Sequence, residues 1–199
     1  MFTGIIEVTG HIVSVESTGT NKTFWIQSPV SGELKIDESV SHNGVCLTVE
    51  EVKTDMHRAT AVKETLDKTN LNNWKKAACV NLERSMLLNG RLDGHLVQGH
   101  ADTTAICMLI EEHGGSWVFQ FSFPEKFAAL LVEKGSVAIN GISLTVFNVT
   151  HHSFSVTVIP YTFHNTNFNK LKKNDQVNIE FDIIGKYVLR NEQMKTRQN

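Results

Sequence analysis

The chain has 199 residues and a formal net charge of −2 at pH 7, so it lacks the basic field that nucleic-acid and anionic-membrane binding require. Its three cysteines are too few for a disulfide framework, and no apolar run approaches the ~18 residues of a membrane span. No apolar leader segment follows Met1. These features predict a cytoplasmic protein with a small-molecule partner and with no nucleic-acid or membrane partner.

Short runs rich in β-branched and aromatic residues, separated by Gly, Asn, Asp and Ser, dominate the chain and predict strands. Helix is scarce: the clearest candidate covers residues 124–134, with Pro124 in the first position and Gly135 as the stop, and its counterpart at 29–34 is weaker. The final segment, 186–199, is expected to be a short helix or a frayed tail. The predicted strands are 5–15, 23–27, 45–52, 59–63 and 80–84, then 103–110, 117–123, 142–149, 154–159 and 177–181.

The two halves of the chain repeat each other. Residues 39–83 align without gaps on residues 136–180, and 18 of the 45 pairs are identical, which chance does not produce. Upstream, Gly4 falls on Gly99 at an offset that is shorter by two residues. The period is far too long for a solenoid, so each copy should be a domain with its own core. Because the strands are short and closely spaced, we expect a small antiparallel barrel or sandwich in each copy.

The sharpest local match between the copies is an Asn-Gly pair, at 43–44 and at 140–141, followed by a β-rich run. Asn-Gly is a strong turn signal because both residues tolerate positive φ. A turn does not explain why Thr48 and Thr145 recur four residues after the glycines. These threonines face either a ligand, which we favour, or solvent.

Cys46 in the first copy is replaced by Ser143 in the second, each two residues before the recurring threonine and on the same face of its strand. The neighbours of Cys46 are apolar, so a buried, inert thiol is the default interpretation. The exchange shows that the copies share a scaffold but differ in chemistry at this position.

His95 and His100 lie five residues apart and diverge on either a strand or a helix, so they do not predict a shared metal site. His100 follows Gly99, which permits close approach of the backbone to a ligand. Spacing alone leaves two interpretations of His100 open, a structural histidine and a group that donates a hydrogen bond or moves a proton.

Six motifs in order resemble riboflavin synthase of the duplicated-barrel type, and the likeness covers almost the full chain. They are MFTGII at 1–6, HNG and CLT at 42–48, KET at 63–65, GHLVQGH at 94–100, NGISLT at 140–145 and VNIE at 177–180. The resemblance implies an all-β fold of two tandem homologous six-stranded Greek-key antiparallel barrels, at 1–95 and 96–185, and a C-terminal helix or tail at 186–199.

The resemblance also implies an activity. The family converts two molecules of 6,7-dimethyl-8-ribityllumazine into riboflavin and 5-amino-6-ribitylaminouracil, the last step of riboflavin biosynthesis, by moving a four-carbon unit without cofactor or metal. Two copies of one substrate must be held face to face in opposite roles, and two diverged pockets suit that requirement.

Site residues are carried over from the family by motif. Threonines and backbone groups would bind the pteridine edge, and Val62 and Ile159 would cover its face. The first pocket is expected to comprise Gly4, Ile5, Ile6, Cys46, Leu47, Thr48, Thr60, Ala61, Val62, Lys63, Glu64 and Thr65. The second is expected to comprise Gly99, His100, Ala101, Lys134, Ser143, Leu144, Thr145, Thr157, Val158, Ile159, Pro160, Tyr161 and Thr162.

For the chemistry, the resemblance favours four residues. His100 is the candidate for proton transfer, and Ser143, assisted by Asp182, is the candidate for addition or for positioning water. Cys46 would make a supporting contact in the other pocket. Much of the rate should come from alignment of the two substrates, so single replacements should lower activity without abolishing it.

The family places its site between the first barrel of one subunit and the second barrel of a neighbour in a homotrimer, and lumazine synthase is a further expected partner. The C-terminal segment departs from the family because it lacks a sustained apolar seam, which fits a weak or ligand-dependent trimer as well as a stable one. Two other functions stay open: a non-catalytic carrier of lumazine or flavin, and a barrel interaction module without a small ligand.

Overall fold

A computed structural model describes residues 1–196 and contains two closed barrels. In the first, the strands close in the order β1-β2-β5-β4-β3-β6, with every pair antiparallel. Strands β3 to β5 follow one another and β6 returns beside β3, which is a Greek key. The strands are β1 (Val8–Thr18), β2 (Asn21–Gln27), β3 (Ser39–His42), β4 (Val45–Val52), β5 (Met56–Ala61) and β6 (Cys79–Arg84).

The second barrel repeats the first strand for strand, in the order β7-β8-β11-β10-β9-β12. The expectation of two tandem six-stranded antiparallel barrels is therefore confirmed. Its strands are β7 (Thr103–His113), β8 (Ser116–Ser122), β9 (Ser136–Ile139), β10 (Ile142–Phe147), β11 (Ser153–Val158) and β12 (Gln176–Phe181).

Short helices connect the strands. A six-residue helix follows the fifth strand of each barrel, α1 (Lys63–Lys68) and α2 (Pro160–Asn165), and α3 (Ile183–Thr196) ends the described chain. No helix within residues 1–196 is long and apolar enough to cross a membrane. The C-terminal helix, expected from residue 186, begins three residues earlier, at Ile183. Residues 197–199 of that expectation lie outside the described residues. Short 3-10 helices form at Ser31–Glu33, Asn70–Asn73, Glu125–Leu130 and Asn167–Lys170.

The helix expected over 124–134 is wrong in type and extent. Only Glu125–Leu130 is helical, and it is a 3-10 helix. Leu131 takes an extended conformation and packs into the second core, which draws the chain out of the helix. Sequence reasoning also missed β3 and β9, which are only four residues long, and α1 and α2, which are too short to show helical periodicity.

The barrels meet about an approximate twofold axis that passes between the two Asn-Gly turns. A Cβ built on Gly44 would lie 2.7 Å from Gly141 N, and one on Gly141 would lie 2.8 Å from Gly44 N, so neither position has room for a side chain. Both glycines also have positive φ. The recurring Asn-Gly pair therefore serves the turn and the contact between the barrels.

Buried asparagine amides surround this axis. Asn81 Nδ2 donates to Asn140 O at 3.0 Å and to Asn167 Oδ1 at 2.9 Å, across the interface. The symmetry-related Asn178 Nδ2 donates to Asn43 O at 2.9 Å. Three identical asparagine pairs between the copies thus satisfy polar groups where the two halves meet, because a buried amide without a partner costs free energy.

Candidate active site

Residues 1–7 precede the first barrel and residues 96–102 precede the second. Each of these two crossing segments contacts the barrel that it does not precede. Ser143 N–H, on β10, donates to Gly4 O at 2.8 Å, and Cys46 N–H, on β4, donates to Gly99 O at 2.7 Å. A Cβ on Gly4 or Gly99 would approach the Cβ of its partner to 2.6 Å, and both glycines have positive φ. Only glycine fits at these two points of closest approach.

A glutamate at the end of each barrel's last strand holds each crossing segment. The Glu83 carboxylate accepts from Thr3 N at 2.6 Å and from Gly4 N at 3.1 Å. The Glu180 carboxylate accepts from the backbone N–H groups of three consecutive residues, 98–100, at 2.6 to 2.9 Å. Burial raises the pKa of both carboxyl groups, and these hydrogen bonds act in the opposite direction.

The first pocket is a cavity of about 200 Å³ beside the first barrel. The exposed His100 lines it together with Cys46, whereas the sequence grouped His100 with Ser143. The reason is the crossing of the two segments, which brings Gly99 onto Cys46. The lining residues are Val45, Cys46, Glu64, Thr65, Lys68, Thr69, Gly99, His100 and Ala101.

The equivalent region of the second barrel, called the second pocket below, is centred on Ser143, over which Gly4 lies. His95 Nδ1 is hydrogen-bonded to Ser143 Oγ at 2.7 Å. His95 is 8% exposed, and its Nε2 has no hydrogen-bond partner among the described residues. Burial lowers the His95 pKa, and the Asp182 carboxylate acts against that shift. A neutral imidazole beside a hydroxyl is an arrangement that can take a proton from it.

The two histidines of one seven-residue motif therefore serve different barrels. His95 belongs with Ser143, and His100 belongs with Cys46. Sequence reasoning weighed His95 only as a metal ligand and did not assign it to the site. Nothing local in the sequence signals its role, because its partner is 48 residues away along the chain.

The apolar residues expected to cover a ring are exposed. Val62 is 52% and Ile159 is 57% exposed, each directly before its helix, and Ile5 on the crossing segment is 49% exposed. Thr48 and Thr145 are also exposed and occupy equivalent positions on β4 and β10. Large apolar side chains left in water at equivalent positions next to both pockets are consistent with a flat ligand at each barrel.

Three expected contact residues do not point freely into a pocket. Leu47 is 5% exposed and packs in the first core. Thr60 Oγ1 is occupied on the outer face of β5, where it donates to Glu50 Oε2 at 3.0 Å. Lys134 lies near Val146, at the opposite end of β10 from Ser143, with its Nζ 5.6 Å from the Phe147 ring centroid.

The remaining expected contacts flank the pockets. In the first barrel, Lys63, Glu64 and Thr65 form the start of α1, one residue after Ala61 ends β5. In the second barrel, Pro160, Tyr161 and Thr162 start α2 after Thr157 and Val158 end β11, and Leu144 lies beside Ser143 on β10. Within residues 1–196, no cluster of three or more His, Cys, Asp or Glu side chains is arranged to hold a metal ion.

Comparison with known proteins gives one consistent result. The lumazine binding domain family matches the chain twice, over residues 3–85 and 98–182. Riboflavin synthase of Bacillus subtilis (strain 168) is 38% identical over 191 residues, which cover 96% of this chain and 89% of the relative. Riboflavin synthase of Actinobacillus pleuropneumoniae is 39% identical over 190 residues, which cover 94% of this chain and 88% of the relative.

Solved structures of LumP share the fold. LumP complexed with riboflavin superposes with a TM-score of 0.85 at 20% identity, covering 91% of this chain and 99% of LumP. LumP complexed with 6,7-dimethyl-8-(1'-D-ribityl) lumazine superposes with a TM-score of 0.83 at 19% identity. At this identity the likeness extends to the fold alone.

Proposed function

The chain belongs to the riboflavin synthase family, and from this premise we propose that its two pockets each hold one molecule of 6,7-dimethyl-8-ribityllumazine and support transfer of a four-carbon unit between them. The products are riboflavin and 5-amino-6-ribitylaminouracil. The observation that carries the proposal is that equivalent regions of the two barrels hold different polar groups, Cys46 with His100 and Ser143 with His95. One reaction with two identical substrates in opposite roles requires this combination of likeness and difference.

The second pocket supplies the better-organised polar groups. His95 Nδ1 at 2.7 Å from Ser143 Oγ can take the hydroxyl proton as Ser143 Oγ or a water held by it adds to the lumazine C7. The Asp182 carboxylate stabilises the imidazolium that forms. This pocket therefore holds the molecule that undergoes addition.

The first pocket has an exposed histidine where the second has the buried His95. His100 is exposed at its rim and is free to take a proton from the acidic C7 methyl group of the bound lumazine. Cys46 makes a supporting contact with the same lumazine. The backbone N–H of Ala101 follows His100 on the crossing segment. Orienting the two bound lumazines against each other supplies about 7 to 11 kcal/mol of barrier lowering in favourable cases, so alignment is the larger contribution.

The two pockets must face each other for the reaction, and a homotrimer in which the first barrel of one subunit meets the second barrel of its neighbour provides this arrangement. The proposed functional units are the two barrels, 1–95 and 96–185, and the C-terminal segment 186–199. Three free cysteines are consistent with a cytoplasmic location. Lumazine synthase is a further proposed partner, since its product is this substrate.

Mixing the purified chain with 6,7-dimethyl-8-ribityllumazine and following riboflavin absorbance tests the proposal. We expect one riboflavin for two lumazines consumed. His95→Gln and His100→Ala should each lower the rate, and sedimentation with and without lumazine should give a trimer in at least one condition. Tight binding without turnover would make the chain a lumazine carrier, and absence of binding would exclude both functions.

A further inference from the structure

One ion pair lies between the C-terminal helix and the crossing segment of the first pocket. Lys186 Nζ, in the first turn of α3, lies 2.6 Å from Asp102 Oδ2, with the two side chains 22% and 20% exposed. All other ion pairs among residues 1–196 have both side chains more exposed than these. A partly buried pair interacts more strongly than the exposed pairs, because water screens it less.

Asp102 ends the segment that carries His100. Its backbone N–H donates to Ile179 O at 2.8 Å, and its Oδ2 accepts from Phe181 N at 2.9 Å. The Glu180 carboxylate fixes residues 98–100 of the same segment. The Asp102 carboxylate therefore fixes the end of this segment against β12. It thereby fixes the position of His100, two residues earlier in the chain.

In the first half of the chain, the equivalent carboxylate is paired with a cation of the barrel itself. Glu7 occupies the position equivalent to Asp102, and its carboxylate accepts from Arg84 Nε at 2.9 Å. Arg84 is the last residue of β6, so its cation belongs to the barrel itself. The position equivalent to Arg84 in the second barrel is Phe181, which has no charge, and the cation comes instead from α3. Only the His100 segment thus depends on an element outside the barrels.

We propose that Lys186 is a positioning residue for the synthase reaction: through Asp102 it holds the 99–101 segment so that His100 lines the first pocket. The inference rests on the proposed function and deepens it. Its consequence is a coupling, in which loss of the Lys186–Asp102 ion pair displaces His100 from its place in the first pocket.

The test uses Lys186→Met, which keeps the apolar stem and removes the charge. We expect kcat/KM for riboflavin formation to fall about tenfold, because a small displacement of a reacting group is costly. Lys186→Arg should restore most of the rate. Lys195→Met, in the exposed pair with Glu192 at the other end of the same helix, is the matched control and should retain wild-type activity.

A double variant distinguishes a positioning role of Lys186 from a merely structural one. If Lys186 acts through His100, then Lys186→Met should lower the rate no further in a His100→Ala background. If the rate of the double variant instead falls by the product of the two single fold-losses, the inference is overturned. Asp102→Asn, which keeps an acceptor for Phe181 N–H, provides a second route should Lys186→Met fold poorly, and it should reproduce the loss.

The outcomes separate this inference from the proposed function. Wild-type turnover tests the function alone. If the wild type is active and both Lys186→Met and Asp102→Asn keep the full rate, the positioning role is excluded and the function stands. If the wild type binds lumazine without turnover, the same variants should weaken binding about tenfold by fluorescence titration, and unchanged binding would exclude the role.

Discussion

The two barrels share a strand order but differ in what fills them. The second is packed with phenylalanines, among them the fully buried Phe121, Phe154 and Phe168. The first places His42 and His57, both 0% exposed, where the second has Ile139 and Phe154. One strand topology therefore tolerates an apolar and a partly polar interior, provided that each buried polar group has a partner.

The polar groups of the first barrel form one chain. Val40 O can only accept, so His42 Nδ1 donates to it at 3.0 Å, and His42 Nε2 accepts from His57 Nε2 at 2.8 Å. His57 Nδ1 then accepts from Ser31 Oγ at 2.8 Å. This arrangement gives all four ring nitrogens a hydrogen-bond partner with both imidazoles neutral, so an added proton would break one of these bonds.

The largest effect should come from the aromatic interior. Phe154 is 0% exposed and lies 5.7 Å, centroid to centroid, from both Phe121 and Phe123. We expect Phe154→Ala to lower the free energy of unfolding by about 3 to 5 kcal/mol, because a cavity remains among rings that cannot collapse into it. Urea unfolding followed by circular dichroism measures this loss. Leu88→Ala, at a fully exposed position, is the control, and a loss below about 1 kcal/mol for Phe154→Ala would contradict the packing.

The pockets provide the next comparison. Ser143 is hydrogen-bonded to a buried histidine, whereas Cys46 has an exposed histidine beside it. We expect Ser143→Ala to lower kcat about 100-fold, the range of a lost acid–base contact, and Cys46→Ala to lower it less than about tenfold. Steady-state riboflavin formation measures both. Cys79→Ala, at a half-buried cysteine of β6, should leave kcat unchanged. Equal losses at Ser143 and Cys46 would remove the proposed division of roles.

The repeat made the fold predictable, because two copies with matching strands and turns independently indicate the same β-rich unit. Four-residue strands such as Ser39–His42 lie below the length at which alternation can be recognised. Ser39–His42 is a strand because β4 and β6 pair with it on both sides in the closed barrel, which is a tertiary effect.

The motifs name individual candidate site residues but do not show which of them lie together. Motifs identified Cys46, His100 and Ser143, while the exchange of the crossing segments placed His100 with Cys46 instead of Ser143. A periodic pattern contains no information on which barrel a loop reaches. His95 was missed for the same reason, since only the folded chain brings it to Ser143.

The histidine pair gives the barrels different responses to pH. Burial lowers the pKa of His42 to about 3 and that of His57 to about 4, from 6.5. Below pH 6.5 the unfolded chain takes up protons that the folded barrel excludes, so the free energy of unfolding falls as the pH falls toward 4. Each histidine contributes up to about 1.4 kcal/mol per pH unit, so we expect a loss of about 2 kcal/mol between pH 6 and 5.

A variant that copies the second barrel tests this difference. His42→Ile with His57→Phe introduces the residues of the equivalent positions, Ile139 and Phe154. Urea unfolding at several pH values should show that this variant loses about 2 kcal/mol less than the wild type between pH 6 and 5. Parallel curves for the two proteins would mean that other groups carry the pH dependence. At pH 8 the histidines are neutral in both states, so their ionisation should not contribute there.

The smallest expected effect lies at the interface between the barrels, where the symmetry is imperfect. Asn167 Nδ2 donates to Asn43 Oδ1 at 3.0 Å and its Oδ1 accepts from Asn81. Its counterpart Asn70 donates through Nδ2 to Gln176 O, and its Oδ1 has no partner among the described residues. We expect Asn167→Ala to lower the free energy of unfolding by about 1 kcal/mol more than Asn70→Ala, the net value of one hydrogen bond. Both substitutions remove the same atoms from equivalent sites, so urea unfolding of the two variants isolates that bond, and equal losses would mean that the interface is symmetric in energy despite its geometry.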